Sequence, residues 1–171
     1  MIKFAFVALL VMIVVSEDPP QLPDSFQIAF VENTTINKTN FTNTGQMFYD
    51  ATHNRERVDR NNGEYDFFCS SVLPRVNTPC THLTVNDKRY FIYPEKRQCC
   101  YCCNSTEGCG ILRKDWLEGG HYQGTDQLDG RTFDKWEKHG LTEDYWWVTT
   151  DDEHIPRKLQ EAESKYTDYK V

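Results

Sequence analysis

Five cysteines fall within eleven residues of this chain, Cys99-Cys100-Tyr101-Cys102-Cys103 and then Cys109, with Cys69 and Cys80 upstream. Nothing else in the sequence narrows the fold as much, because thiols at that density serve as bridges or as metal ligands, and the compartment decides between them. The first residues point to the compartment. Lys3 precedes an unbroken apolar run of 12 residues, Phe4 to Val15, and Val14 and Ser16 are the small residues of a cleavage site before Glu17-Asp18-Pro19-Pro20. A bilayer span needs about 20 apolar residues, so this run reads as a signal peptide over residues 1–16. Nothing later is apolar enough to span a membrane once the signal is removed. The destination is the cell exterior or the secretory lumen, where disulfides are the default for all seven cysteines.

Seven cysteines allow at most three bridges with one residue left over. Adjacent cysteines rarely bond each other, and on an extended segment neighbouring side chains point to opposite faces. Cys99 and Cys100 are therefore expected to tie the segment to two different partners, as are Cys102 and Cys103. A zinc site is disfavoured because the cluster lacks the two separated pairs of a zinc ribbon. A redox Cys-x-x-Cys reading lacks the helix that lowers a thiol pKa. No metal or cofactor is assigned.

Secretion gives meaning to four Asn-x-Ser/Thr sequons at Asn33, Asn37, Asn40 and Asn104. Three of them lie within eight residues, Asn33 to Asn40, which predicts an exposed, glycan-rich loop, since a glycan cannot enter a core.

Turn signals recur at short intervals. Phe26 to Phe30 alternates apolar and polar, the pattern of a half-buried strand. Gln46 to Asp50 is set to pair with Arg55 to Arg60. Asn62-Gly63 leads into a strand over Tyr65 to Cys69, and Asn86-Asp87 joins Thr81–Val85 to Arg89–Tyr93. Asp129-Gly130 joins Tyr122–Leu128 to Arg131–Glu137, and the turn at 151–153 joins Tyr145–Thr149 to Ile155–Leu159. Lys114 to Glu118 reads as one helical turn, and Glu161 to Tyr169 as a frayed helix or loose tail. The organisation is a signal peptide (1–16), a polar segment with one strand and the glycan loop (17–45), one antiparallel β domain (46–160) and a charged tail (161–171). The fold class is mainly β, with at most one or two short helices, stapled by disulfides.

A formal charge of −7 gives no reason to expect a nucleic-acid binder. No catalytic residue is assigned. The five histidines have no metal or triad spacing, and Asp126, Asp129, Asp134 and Glu137 fit a turn and a solvated strand face. Trp146 and Trp147 are consecutive, so on a strand they face opposite sides of the sheet, and one of them is free to line a cleft or interface.

The order Cys109-Gly110-Ile111-Leu112, His121-Tyr122-Gln123-Gly124-Thr125, Asp129-Gly130, Asp134-Lys135-Trp136, Tyr145-Trp146-Trp147 and Ile155-Pro156-Arg157 resembles a family of secreted, cysteine-containing proteins of ciliates and other protists, with plant relatives. Asn54 to Arg60 and Pro79 to Leu83 share that likeness. In plan the chain is also distantly similar to ependymin-related proteins and bacterial lipoprotein carriers. Their strongly curved antiparallel sheet, an open or half barrel around a hydrophobic cavity, is the architecture the resemblance implies. It makes Tyr122, Trp136, Tyr145, Trp146 and Trp147 candidate ligand-binding residues. The family pattern often has Cys where this chain has Phe133, which accounts for the odd cysteine. Two readings follow. One is a secreted, non-enzymatic carrier of a lipid or other apolar ligand. The other is a structural or surface-coat protein that self-associates, including through the odd cysteine.

Overall fold

The computed structural model describes residues 18–36, 39–139, 143–151, 154–161 and 167–170. The elements in chain order are β1 (Ser25–Ile36), β2 (Thr39–Asp50), β3 (Arg55–Arg60), α1 (Phe67–Val72), β4 (Cys80–Val85), β5 (Lys88–Tyr93), β6 (Gln98–Asn104), β7 (His121–Leu128), β8 (Arg131–His139), β9 (Glu143–Thr149), β10 (Pro156–Glu161) and β11 (Thr167–Lys170). All strand pairs are antiparallel, in the order β6-β5-β4-β3-β2-β1-β11-β10-β9-β8-β7. β6 and β7 are its two ends, so the sheet is open rather than a closed barrel. β11 joins a six-stranded half to a four-stranded half.

The hairpins form where turn chemistry predicts them. Asn86 and Asp87 take φ of 50° and 60°, and Asp129 and Gly130 take 51° and 75°. Two successive positive φ values give the turn whose twist matches the flanking strands, and Asn, Asp and Gly tolerate it best.

Five local expectations are corrected. The segment read as a glycan loop is a hairpin: β1 and β2 pair from Ser25↔Asp50 to Ile36↔Thr39. Its threonines are β-branched and suit a strand as well as a polar loop. The strand expected at Tyr65 to Cys69 is replaced by α1, because the Asp66 carboxylate caps the helix by accepting from the Cys69 N–H at 2.8 Å. In the tail, residues 167–170 form β11 between β1 and β10. Lys114 to Glu118 is a chain of tight turns and no helix, with Trp116 N–H on Arg113 O and Glu118 N–H on Asp115 O. Leu22, within the segment 17–45 read as polar, is 1% exposed and sits in the core.

The cysteines also depart from expectation. Cys69 bonds Cys80 and Cys103 bonds Cys109, while Cys99, Cys100 and Cys102 remain thiols. There are two bridges rather than three, and β6 holds all three free thiols. Phe133, at the position suspected of having lost a cysteine, is 3% exposed and fills a buried place on β8.

Alternation along the strands defines one covered face in the six-stranded half. Register aligns Phe26, Tyr49, Glu56 and Thr84 in one row across it, Ile28, Met47, Val58, His82 and Phe91 in the next, and Phe30, Gly45 and Arg60 in a third. Gly45 is required in the third row. A Cβ there would stand 2.1 Å from Asp59 O and 2.4 Å from the Phe30 ring.

Candidate functional site

The covered face is roofed by the chain that leaves β6. Residues 109–120 form a strap across it. Ile111, Leu112 and Trp116 pack onto the cluster of Leu22, Ile28, Met47 and Tyr49. Lys114 O accepts from the Leu22 N–H at 2.9 Å, and the Trp116 ring lies 3.9 Å from that of Trp146, edge on. The strap therefore reaches from β3 to β9, and its apolar side chains occupy the space that a curved sheet would offer to a ligand.

Polar contacts add to this: Arg89 Nη2 donates to Gly110 O at 2.7 Å, Lys114 pairs with Asp24 and Lys138 donates to Glu118 O. The Glu56 carboxylate accepts from the Leu112 N–H at 3.0 Å. Burial pushes the Glu56 pKa up, against the Leu112 hydrogen bond and the charges of Arg89, His82 and Arg60. Beside it, burial and then the Glu56 charge raise the Tyr49 hydroxyl to about 12. The Tyr49 hydroxyl is buried and has no hydrogen-bond partner, and neither has the Trp136 Nε1. A recess of about 290 Å³ borders Tyr49 and Glu56 from the other side: Phe48, Arg57 and Leu83, which line it, form the register row that faces away from the strap. The recess and the strap thus lie on opposite faces of the same strands.

A second polar cluster lies in the neighbouring rows. Arg60 Nε is 2.8 Å from Asp66 and its Nη1 is 3.3 Å from Glu32, while His82 Nε2 is 3.1 Å from Asp66. Burial alone would raise the Asp66 pKa. Hydrogen bonds from His82 and the Cys69 N–H, with the Arg60 charge, outweigh it and hold the carboxyl well below the usual range. His82 also touches Cys69 Sγ at 3.1 Å, but that sulfur is committed to the Cys69–Cys80 bridge. The cluster is a buried brace for α1 and offers no free nucleophile. Among the described residues, Cys69, Cys80 and His82, and separately Cys102, Cys103 and Cys109, bring ligand atoms within 4.8 Å of one another. In each set two sulfurs are joined as a disulfide, so neither presents three free ligands.

The five aromatic candidates do not share one lining. Trp136 and Trp146 are cross-strand partners, and Trp136 packs with Leu117 and Val148 while Trp146 meets the strap. Tyr122 stands opposite Trp136 with ring centres 5.2 Å apart. Trp147 and Tyr145 belong to the other face, opposite Lys135 and Glu137. Trp147 is 3% exposed even so. Lys158 and Lys135 Nζ lie 4.4 and 5.1 Å from its ring, and its Nε1–H donates to Asp126 at 3.0 Å. The two tryptophans thus face opposite sides as strand geometry requires.

Of the sequons, Asn33 is half-buried on β1, its side chain accepting from Thr42 Oγ1 at 2.8 Å. Asn40 is exposed on β2. Asn104 caps a short 3-10 turn, accepting from Thr106 Oγ1 at 2.7 Å and from the Thr106 and Glu107 N–H groups. Asn37 and the signal peptide lie outside the described residues. Glu56, Tyr49, Leu112 and Trp116 were not singled out by sequence. Glu56 sits between Arg55 and Arg57 and reads as a solvated face, although the Gln46–Asp50/Arg55–Arg60 hairpin already places it opposite Tyr49.

A family model described as a domain of unknown function (DUF8395) matches residues 21–155. Curated proteins give no match. Among solved structures, an uncharacterized conserved protein from Thermus thermophilus superposes with a TM-score of 0.51 at 9% identity, covering 85% of this chain and 74% of its own. A DUF1329 family protein from Desulfovibrio piger gives a TM-score of 0.36 at 10% identity, covering 86% and 84%. The first likeness concerns the fold alone.

Proposed function

The chain belongs to the family of the domain of unknown function DUF8395, and from that premise we propose that it is a secreted, glycosylated, non-enzymatic protein that takes up a lipid or another apolar ligand beneath the strap. The observation that carries the reading is the apolar cluster beneath the strap, where Tyr49 brings a buried hydroxyl without a protein partner. An acyl chain entering there would replace Ile111 and Leu112 against Ile28, Met47 and Val58, exchanging one apolar contact for another at little cost. Its polar end would meet the Tyr49 hydroxyl, relieving a group that burial leaves unpaired. Entry would ask Leu112 to give up its hydrogen bond to Glu56, while Arg89 on Gly110 O and the Leu22 N–H on Lys114 O hold the strap on either side. The disulfides are consistent with an extracellular location.

Titration of the secreted protein with a dansyl-labelled fatty acid tests the reading. The expected result is saturable uptake, competed by unlabelled fatty acid, and tighter in Leu112→Ala, which thins the roof. Uptake that never saturates, or that ignores both the competitor and the substitution, overturns it.

A further inference from the structure

β6 combines three features that belong together. Among the described residues it is an end strand, paired with β5 alone, so one of its backbone edges has no described strand beside it. It carries no charge over Gln98 to Asn104, whereas natural edges are usually blunted by charge, proline or irregularity. The opposite end, β7, shows that blunting: a register shift between Tyr122 and Thr125, Gly124 at φ 91° and Asp126. β6 has a register shift of its own in its ladder with β5, where Cys102 is the extra residue, as β7 has in its ladder with β8; what β6 lacks is the charge and the glycine. The third feature is the sequence Gln-Cys-Cys-Tyr-Cys-Cys-Asn, which reads nearly the same in both directions about Tyr101.

A strand that is its own reverse can pair with a second copy of itself antiparallel about a two-fold axis, giving an isologous interface. With Tyr101 opposite its counterpart, Cys100 faces Cys102 of the second copy, and Cys102 faces Cys100. These are two of the three thiols left free in the fold. Directly paired residues on antiparallel strands have Cα atoms about 4.5–5.5 Å apart, inside the span a disulfide bridges. Cys99 falls opposite Cys103, which is already bonded to Cys109. We propose that β6 is a homodimerisation edge at which Cys100 and Cys102 of two copies form two reciprocal disulfides, continuing the sheet across the dimer. This rests on the β6 edge alone and is independent of the ligand reading.

The bridge needs an oxidant, and a low-molecular-weight disulfide such as oxidised glutathione supplies it. The Cys102 thiolate attacks one sulfur of that disulfide, releasing one thiol and leaving a mixed disulfide on Cys102. The Cys100 thiolate of the second copy then attacks Cys102 Sγ and releases the second thiol. The two cysteine protons end on the two released thiols, and two electrons pass to the oxidant for each bridge.

Complementation with single variants tests the register. Cys100→Ser or Cys102→Ser alone removes one member of both bridges, so neither is expected to give covalent dimer in oxidised glutathione. Mixed together, a Cys100→Ser chain still offers Cys102 to the Cys100 of a Cys102→Ser chain, and a dimer that dissolves on reduction should return. Peptide mapping of each variant for Cys69–Cys80 and Cys103–Cys109 checks that the fold is intact. A mixture of ¹⁴N- and ¹⁵N-labelled wild-type chains gives an answer without any substitution, through mixed-isotope Cys100–Cys102 peptides. Dimer from either variant alone, a linkage through Cys99, or no mixed-isotope bridge overturns the proposal. So does a shift of the Cys103–Cys109 bridge to Cys102–Cys109, whose sulfurs stand 3.9 Å apart in one chain.

Discussion

Replacing Cys69 and Cys80 together by alanine should weaken the fold more than replacing Cys103 and Cys109, and the difference can be worked from the structure. The first pair closes a loop of eleven residues, to which the chain-entropy relation assigns about 2.8 kcal/mol at 25 °C. The second closes six, for about 2.2 kcal/mol. Packing widens the gap. Cys69 and Cys80 are each 1% exposed and belong to one cluster with Phe91 and Tyr93, whereas Cys103 is only half-buried. Removing about 20 Å³ at each of two rigid sites costs roughly 1 kcal/mol at ~24 cal/mol per Å³ of void. The first variant should therefore lose about 4 kcal/mol and the second, in which Cys109 alone is buried, about 2.7 kcal/mol. Urea unfolding followed by the fluorescence of the four tryptophans reads both. With a slope of about 2 kcal/mol per molar, the midpoint falls by about 2 M in the first case and about 1.4 M in the second. Equal midpoints, or the reverse order, would refute the claim that the bridge under α1 holds the core while the other ties a surface turn.

Three further outcomes are expected. Glu56 has a raised pKa in the fold, so its contribution to stability falls as pH rises from the unfolded carboxylate value of about 4.3 and levels off above the folded value. Glu56→Gln should remove that slope and leave neutral-pH stability higher, read as urea midpoints across the pH range. Asp66 is the opposite case. Its lowered pKa adds stability that is complete above about 3.9 and drains away as pH falls, and Asp66→Asn should abolish that acid slope while costing about 3–5 kcal/mol, because Arg60 loses its buried partner. Gly45→Ala, forced against Asp59 O and the Phe30 ring, should cost about 1–3 kcal/mol or more in thermal or urea unfolding.

The sequence was most readable where a turn has its own chemistry. Asn86-Asp87 and Asp129-Gly130 carry residues that tolerate positive φ, and their hairpins stand where expected. Between the paired ends Ile36 and Thr39 of the β1–β2 hairpin the sequence has no Asn-Gly or Asp-Gly signal and lies amid sequons, so its threonines read as a loop. α1 was hidden because Phe67, Phe68 and Cys69 favour strands, and the helix exists through the Asp66 cap and a bridge to a distant cysteine. The opposed faces of Trp146 and Trp147 followed from period two alone. The strap could not be read that way, since nothing local says that Leu112 will return across 56 residues to donate to Glu56. Cysteine parity, likewise, counts thiols without saying which of them the fold brings together.

β11 has a consequence for synthesis. It follows every other strand in chain order, yet it is the one that joins β1 to β10. A chain emerging from the ribosome at ~5–20 residues per second keeps the outer edge of β1 waiting while about 130 further residues are made, roughly 7 to 26 s. Through that interval the protein is half-assembled, with an open seam along β1. The stretch that reads as a loose, charged tail is the clasp, fastened last.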